Sequence, residues 1–109
     1  MDVACSVQTL NAAVDREIDS LPEDMLACLQ RISGLIETFG LEQVREPYVK
    51  HIKGPLWELR LKGAAGIARA IYVVASGARV IILRIVVKKS RKLPKRELEL
   101  ARIRSRQAK

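Results

Sequence analysis

Aromatic side chains are scarce in this chain, with one Phe, two Tyr and one Trp among 109 residues, so an aliphatic core is expected. Cysteine is scarcer still. Cys5 and Cys28 lie far apart with no clustered His, which argues against a disulfide framework or a zinc motif and leaves two free thiols. His51 is the sole histidine, and no Ser or Cys stands in a nucleophile-elbow sequence, so a nucleophilic triad has no signature. No Gly-rich phosphate loop occurs. The nearest metal-ligand candidates, His51, Glu46 and Glu58, follow no recognised spacing, and neither a metal nor another cofactor is expected. No apolar run approaches the roughly eighteen residues of a membrane span, and no basic-then-apolar leader is visible. A soluble, reducing, cytoplasmic setting without membrane contact is the expectation.

What the chain does have is cationic charge, unevenly placed. Residues 1–47 carry nine acidic and three basic side chains and residues 48–109 carry seventeen basic and three acidic, for a net charge of +8. Such segregation creates a field that draws polyanions to one side of the molecule, which makes nucleic acid the first candidate partner. A solvated basic surface, or a patch for an acidic protein, fits the same composition. The length suits one domain, 1–109, able to bury roughly 60–70% of its unfolded surface without staples.

Val3 to Leu10 reads as a short first strand, and Asn11 as the N-cap of a helix over residues 12–18. After Pro22 a second helix begins near Glu23, with acids in its first turn and Leu26, Leu29, Ile32, Ser33, Ile36 and Phe39 at helical spacing. Gly40 closes it. Trp57, Leu59 and Leu61 alternate with Glu58, Arg60 and Lys62, the period of a half-buried strand. Turns at Gly63-Ala64-Ala65-Gly66 and Ser76-Gly77-Ala78 lead into strands Ile67 to Ala75 and Arg79 to Val87. The last strand is almost continuously apolar, which suits a strand covered on both faces or central in the sheet. If the helices cover one face of this meander, Arg60 and Arg84 must reach the other. Arg69 shares its alternation with Ile67, Ile71 and Val73, so a bulge or a partly apolar open face is needed to accommodate it. Pro94 then opens a short basic helix to Arg106, with Leu98, Leu100, Ala101 and Ile103 as its apolar face. The expected class is α+β: an N-terminal helical hairpin on a mainly antiparallel sheet of about four strands, with a short C-terminal helix.

Metal-free RNA cleavage asks little of such a scaffold. The 2′-hydroxyl attacks the adjacent phosphorus if its proton is removed, the developing charge is stabilised and the departing oxygen is protonated. Arg holds nonbridging oxygens with a two-toothed fork, and Lys can transfer a proton when neighbouring positive charge lowers its pKa. Arg60, Arg69, Arg84, Lys88 and Lys89 are the candidate cluster, and plain phosphate binding needs no more than these.

Three segments in register carry a resemblance over nearly the whole chain: Val49 to Arg60 (VKHIKGPLWELR), Gly66 to Tyr72 (GIARAIY) and Val87 to Glu97 (VKKSRKLPKRE), followed by Ala101-Arg102. The chain resembles the RelE/ParE toxin superfamily of type II toxin–antitoxin systems, closest to its phage-derived HigB-like branch. The resemblance implies two helices on an antiparallel sheet, a ribosome-dependent mRNA endonuclease, and an antitoxin with a helix-turn-helix domain. Carried over by position, Arg69 matches the arginine of the second hairpin strand that contacts phosphate or the transition state. Lys89 matches a basic position after the last strand, Arg60 one near the end of the first hairpin strand, and Lys88 belongs to the same Lys-Lys pair. Lys53, Arg84, Arg91, Lys92 and Lys95 are expected to grip the RNA backbone.

Several departures accompany the likeness. Arg84 and Val86 stand where many relatives have a His and an aromatic, Ser90 stands where they have Thr, and a terminal catalytic Tyr or His has no counterpart. The general acid and base are therefore unassigned, with Tyr48, Tyr72 and His51 available. On this reading Arg69→Ala or Lys89→Ala removes toxicity without unfolding, and Trp57→Ala acts through the core. Gyrase inhibition of the ParE kind, or a non-toxic nucleic-acid-binding accessory protein of phage origin, are the competing functions.

Overall fold

A computed structural model describes residues 5–44, 48–76, 78–88 and 92–108, with Lys88 described in its backbone alone. The described elements are β1 (Ser6–Thr9), α1 (Ala12–Asp19), α2 (Glu23–Phe39), a 3-10 turn (Leu41–Gln43), β2 (Val49–Lys53), β3 (Leu56–Gly63), β4 (Gly66–Ala75), β5 (Arg79–Lys88) and α3 (Lys95–Ser105). The α+β class is as expected, but the sheet has five strands, in the order β1-β5-β4-β3-β2. β2, unread in the sequence, pairs antiparallel with β3 at one edge, and β1 pairs parallel with β5 at the other.

Local chemistry starts and stops the helices where the sequence indicated. Asn11 accepts a hydrogen bond from the Val14 N–H at 3.1 Å through its side chain, capping α1. Gly40, at φ +89°, ends α2 while its N–H donates to the Ile36 carbonyl at 2.8 Å. The β3–β4 hairpin is bolted to the start of α2: Asp24 accepts from the N–H of Met25 at 2.8 Å and of Ala64 at 2.7 Å. A Cβ on Gly63 would stand 2.7 Å from an Asp24 oxygen and 2.8 Å from the Met25 side chain. Only glycine permits this approach.

Both faces of the sheet are covered, unequally. Met25, Ile32 and Ile36 of α2 and Val14 of α1 pack with Leu59, Leu61, Ala70, Tyr72 and Ile82 in an aliphatic core. Phe39, expected on this buried stripe, is instead 64% exposed, because α2 runs past the end of the packed layer, while Met25 and Cys28 are buried in its place. On the other face Ile71, Val73, Ile81, Leu83 and Val86 pack with Ala101 of α3. Cover on both sides accounts for the continuous apolar run of β5. Ala101 is the one buried residue of α3, and Ile103 is exposed, so the broad apolar face expected there is narrow.

The bulge needed to reconcile the alternation lies on β5 rather than at Arg69. Ile71 pairs with Arg84 and Tyr72 with Ile82, so Leu83 is the extra residue. Arg69 stays on the α3 side of the sheet with Ile71 and Val73.

Candidate nucleic-acid interface

The β3–β4 register sets Arg60 directly opposite Arg69. Like charges facing each other across two strands repel, and the sequence places Glu58 one pleat along on the same side of β3. Its Oε2 lies 3.0 Å from Arg69 Nε, which donates to it, and 3.6 Å from Arg60 Nε. Glu58 and Arg69 are 5% and 4% exposed, whereas the Arg60 side chain keeps 30% of its surface in water. Arg69 is thus held inside by Glu58, and Arg60 reaches the surface. Arg60 Nε is itself enclosed and has no hydrogen-bond partner, the one buried side-chain polar atom of the described residues in that condition.

Lys88 ends β5 opposite Ile67, two positions along each strand from the Arg69–Val86 pair, so its backbone adjoins the Arg60–Arg69 row. Lys89 and Arg91 lie outside the described residues. Lys92 and Lys95 are exposed where the chain enters α3. Lys53 sits at the β2–β3 turn opposite Leu56, four residues along β3 from Arg60, about 13 Å at strand rise. Among the described residues Lys53 and Arg60 therefore stand apart along the sheet rather than in one cluster.

Arg84 is the clearest departure. Its guanidinium is committed to a bidentate pair with Glu97 of α3 (Nε–Oε1 2.9 Å, Nη2–Oε2 3.2 Å) and to Glu17 of α1 (Nη1–Oε2 2.9 Å). The hydrogen bond it donates to Glu97 raises its already high pKa further. Arg104 donates to Glu17 at 3.0 Å and to the Leu83 carbonyl at 2.7 Å. Glu17, Glu97 and Arg104 were not among the sequence candidates, and Glu58 was considered only as a metal ligand. Glu58-x-Arg60 in an alternating strand does signal two opposite charges on one face, but the partners of Arg84 lie 13 and 67 positions away in the chain.

The groups available for proton transfer separate by face. Tyr72 is fully buried on the α1/α2 side, and burial, with Cys5 nearby, pushes its hydroxyl pKa far up, so it stays neutral. His51 Nε2 lies 2.8 Å from the Gly54 carbonyl, and its ring meets Trp57 at 4.7 Å, tilted by 59°. Trp57, expected in the core, is 37% exposed because it stands beside the edge strand. Tyr48 adjoins the cationic row, its carbonyl accepting from the Arg60 N–H at 2.8 Å, and it is partly exposed. Among the described residues no three His, Cys, Asp or Glu side chains gather as metal ligands, and none of the described helices is long and apolar enough to cross a membrane.

Among curated proteins none matches this chain. Its fold is similar to that of a chain in the crystal structure of the archaeal RelE–RelB complex from Pyrococcus horikoshii OT3, with a TM-score of 0.60 and 21% identity over 76% of this chain and 93% of that one. The model of the family described as "Phage derived protein Gp49-like (DUF891)" matches residues 16–106. With that match over most of its length, the chain belongs to the phage-derived Gp49-like family, and its fold is of the RelE type.

Proposed function

We propose that this protein is the toxin of a type II toxin–antitoxin pair and that it cleaves mRNA on the ribosome without a metal or other cofactor. The observation that carries the reading is Arg60, its side chain 30% exposed beside the buried Glu58–Arg69 pair and directly opposite Arg69 across the hairpin. The exposed part of such a guanidinium can donate to phosphodiester oxygens, and one already fixed by its surroundings stabilises charge with little rearrangement. Arg60 contacts the nonbridging oxygens, Arg69 acts through Glu58 by fixing the local geometry, and Lys88 and Lys89 extend the cationic row. In the reaction the 2′-oxygen bonds to phosphorus as its proton leaves, and the bond to the 5′-oxygen breaks as that oxygen gains a proton. Tyr48 is the candidate nearest Arg60 for one of these transfers. The partner is an antitoxin, as in the RelE–RelB complex, with a helix-turn-helix domain by the family resemblance. The setting is the cytoplasm.

The burial of Arg69 favours one rival. A guanidinium 4% exposed does not reach a substrate directly, and a ParE-like toxin that binds gyrase needs no transition-state group. Mapping RNA 5′ ends minutes after induced expression separates the two. New ends within translated codons, lost in Arg60→Ala and Lys89→Ala, are the expected result. Growth arrest with intact mRNA and broken DNA would overturn the endonuclease reading.

A further inference from the structure

Four cations fall into line along β2 and β3, on the face of the sheet that carries Arg60. At alternate positions β3 presents Leu56, Glu58, Arg60 and Lys62 to that face. Lys50 of β2 stands directly opposite Glu58. Strict alternation would then turn Lys53 to the other face, but the register slips between His51 and Lys53 and makes Ile52 an extra residue. Lys53 thereby stands opposite Leu56, on the same face as Lys50, while Ile52 packs with the core on the α3 side. Bulges of this kind re-aim side chains at sites.

Lys53, Lys50, Arg60 and Lys62 therefore mark successive levels of the sheet, about 7 Å apart and about 20 Å from end to end at strand rise. That step is close to the one between neighbouring phosphates of an extended single strand. The three lysines are exposed, and among the described residues no ion pair or hydrogen bond engages their ammonium groups. The one acid of β2 and β3, Glu58, is buried and paired with Arg69. Across the strands the line stops, because Arg69, directly opposite Arg60, is 4% exposed. The path open to a polyanion thus runs along the strands. A duplex backbone winds through more than half a turn in about 20 Å and leaves a straight line of charge, whereas a single strand can follow it.

We propose that this line is a rail for one RNA strand, with Arg60 at the cleavage position and Lys50 and Lys62 holding the phosphates on its two sides. Lys53 holds the next phosphate beyond Lys50. That the ligand is RNA rests on the ribonuclease reading, whereas the position and direction of the rail rest on the register of β2 and β3. Lys62 is also level with Ile67 and Lys88, which joins the rail to the cationic end of β5.

The test is fluorescence anisotropy of a short labelled single-stranded RNA, titrated with the purified protein at several salt concentrations. Lys50→Gln and Lys62→Gln should each flatten the slope of log affinity against log salt by about 0.7 and weaken binding about fivefold at about 0.1 M salt. Lys62→Arg should keep the native slope and affinity. Because both lysines are exposed, the melting temperature of each variant should stay within about 1 °C of native. Arg16→Ala, exposed on α1 across the sheet from the rail, removes the same charge and should leave the slope unchanged. RNA binding whose slope neither glutamine substitution changes would overturn the rail, and the cleavage reading would stand or fall separately with the 5′-end mapping of Arg60→Ala. No RNA binding by the native protein would overturn the rail as well, even where that mapping finds new ends. A duplex of the same length bound as tightly, with the same loss of slope, would give the line to a double strand, and the proposal would fall.

Discussion

Glu17 and Glu97 face Arg84 and Arg104 in equal number, with carboxylate–guanidinium contacts of 2.9 to 3.2 Å. Glu58, by contrast, stands between Arg60 and Arg69 and reaches Arg60 only at 3.6 Å. The first network has a scaffold task. β1 covers β5 only from Arg79 to Ile82, and just beyond it Glu17 accepts from the Ile85 N–H at 3.0 Å while Arg104 donates to the Leu83 carbonyl. Side chains thereby close an open sheet edge that would otherwise invite pairing with another chain. The second cluster closes nothing and leaves a donor unanswered. Of two ion clusters on one sheet, the satisfied one reads as architecture and the unsatisfied one as a site.

The sharpest way to break that contrast is to remove the carboxylate at the centre of the unsatisfied cluster. Glu58→Ala removes the buried carboxylate that pairs with Arg69 and should destabilise the fold by about 4 kcal/mol, read as a shift in the urea midpoint. Arg69→Ala strands Glu58 in turn and should cost about 3 kcal/mol. The expectation that Arg69 can be removed without affecting folding thus gives way to its burial. Any toxicity assay of that variant needs the folded fraction measured alongside. Native-like stability in both variants would mean that the pair is not held as described.

Glu17→Ala probes the other side and should act less, about 2 kcal/mol, since the carboxylate is 17% exposed and water can reach the groups it leaves. That loss lowers the melting temperature by about 10 °C in a domain of this size. RNA binding per folded molecule should be unchanged. If binding falls with Glu17→Ala, Arg84 belongs to the site after all and the two clusters act as one.

How much of this was legible in the sequence follows from the range of each interaction. The helices and the β3–β5 meander are written in local periodicity, and Asn11 and Gly40 mark their ends by local chemistry. β2 escaped because Val49-Lys50-His51-Ile52-Lys53 is a short edge strand with charge on both faces, so no alternation stands out. β1 was visible as a strand, but its parallel partner lies 73 residues on, Ser6 pairing with Arg79, and nothing in Ser6–Thr9 points there. Arg60 and Glu58 could be assigned to one face by alternation alone. That Arg69 faces them depended on the hairpin register, and that Arg84 turns away depended on where α1 and α3 dock.

The smallest expected effect tests whether ion pairing alone, without burial, could account for the contrast. Arg102 donates to Glu99 at 2.6 and 3.2 Å, a geometry as good as any in the buried network, and this bond lowers the Glu99 pKa and raises that of Arg102. Both side chains are more than half exposed, so water and salt screen the attraction, and ordering two long side chains offsets most of what remains. A lowered carboxylate pKa contributes stability above its unfolded value and loses it as pH falls through the folded one, and here that contribution should vanish into solvent. Glu99→Gln should therefore leave the melting temperature within about 1 °C of native at neutral pH. A drop comparable to that of Glu17→Ala would show that geometry outweighs burial in this fold, and satisfaction in the interior would no longer separate scaffold from site.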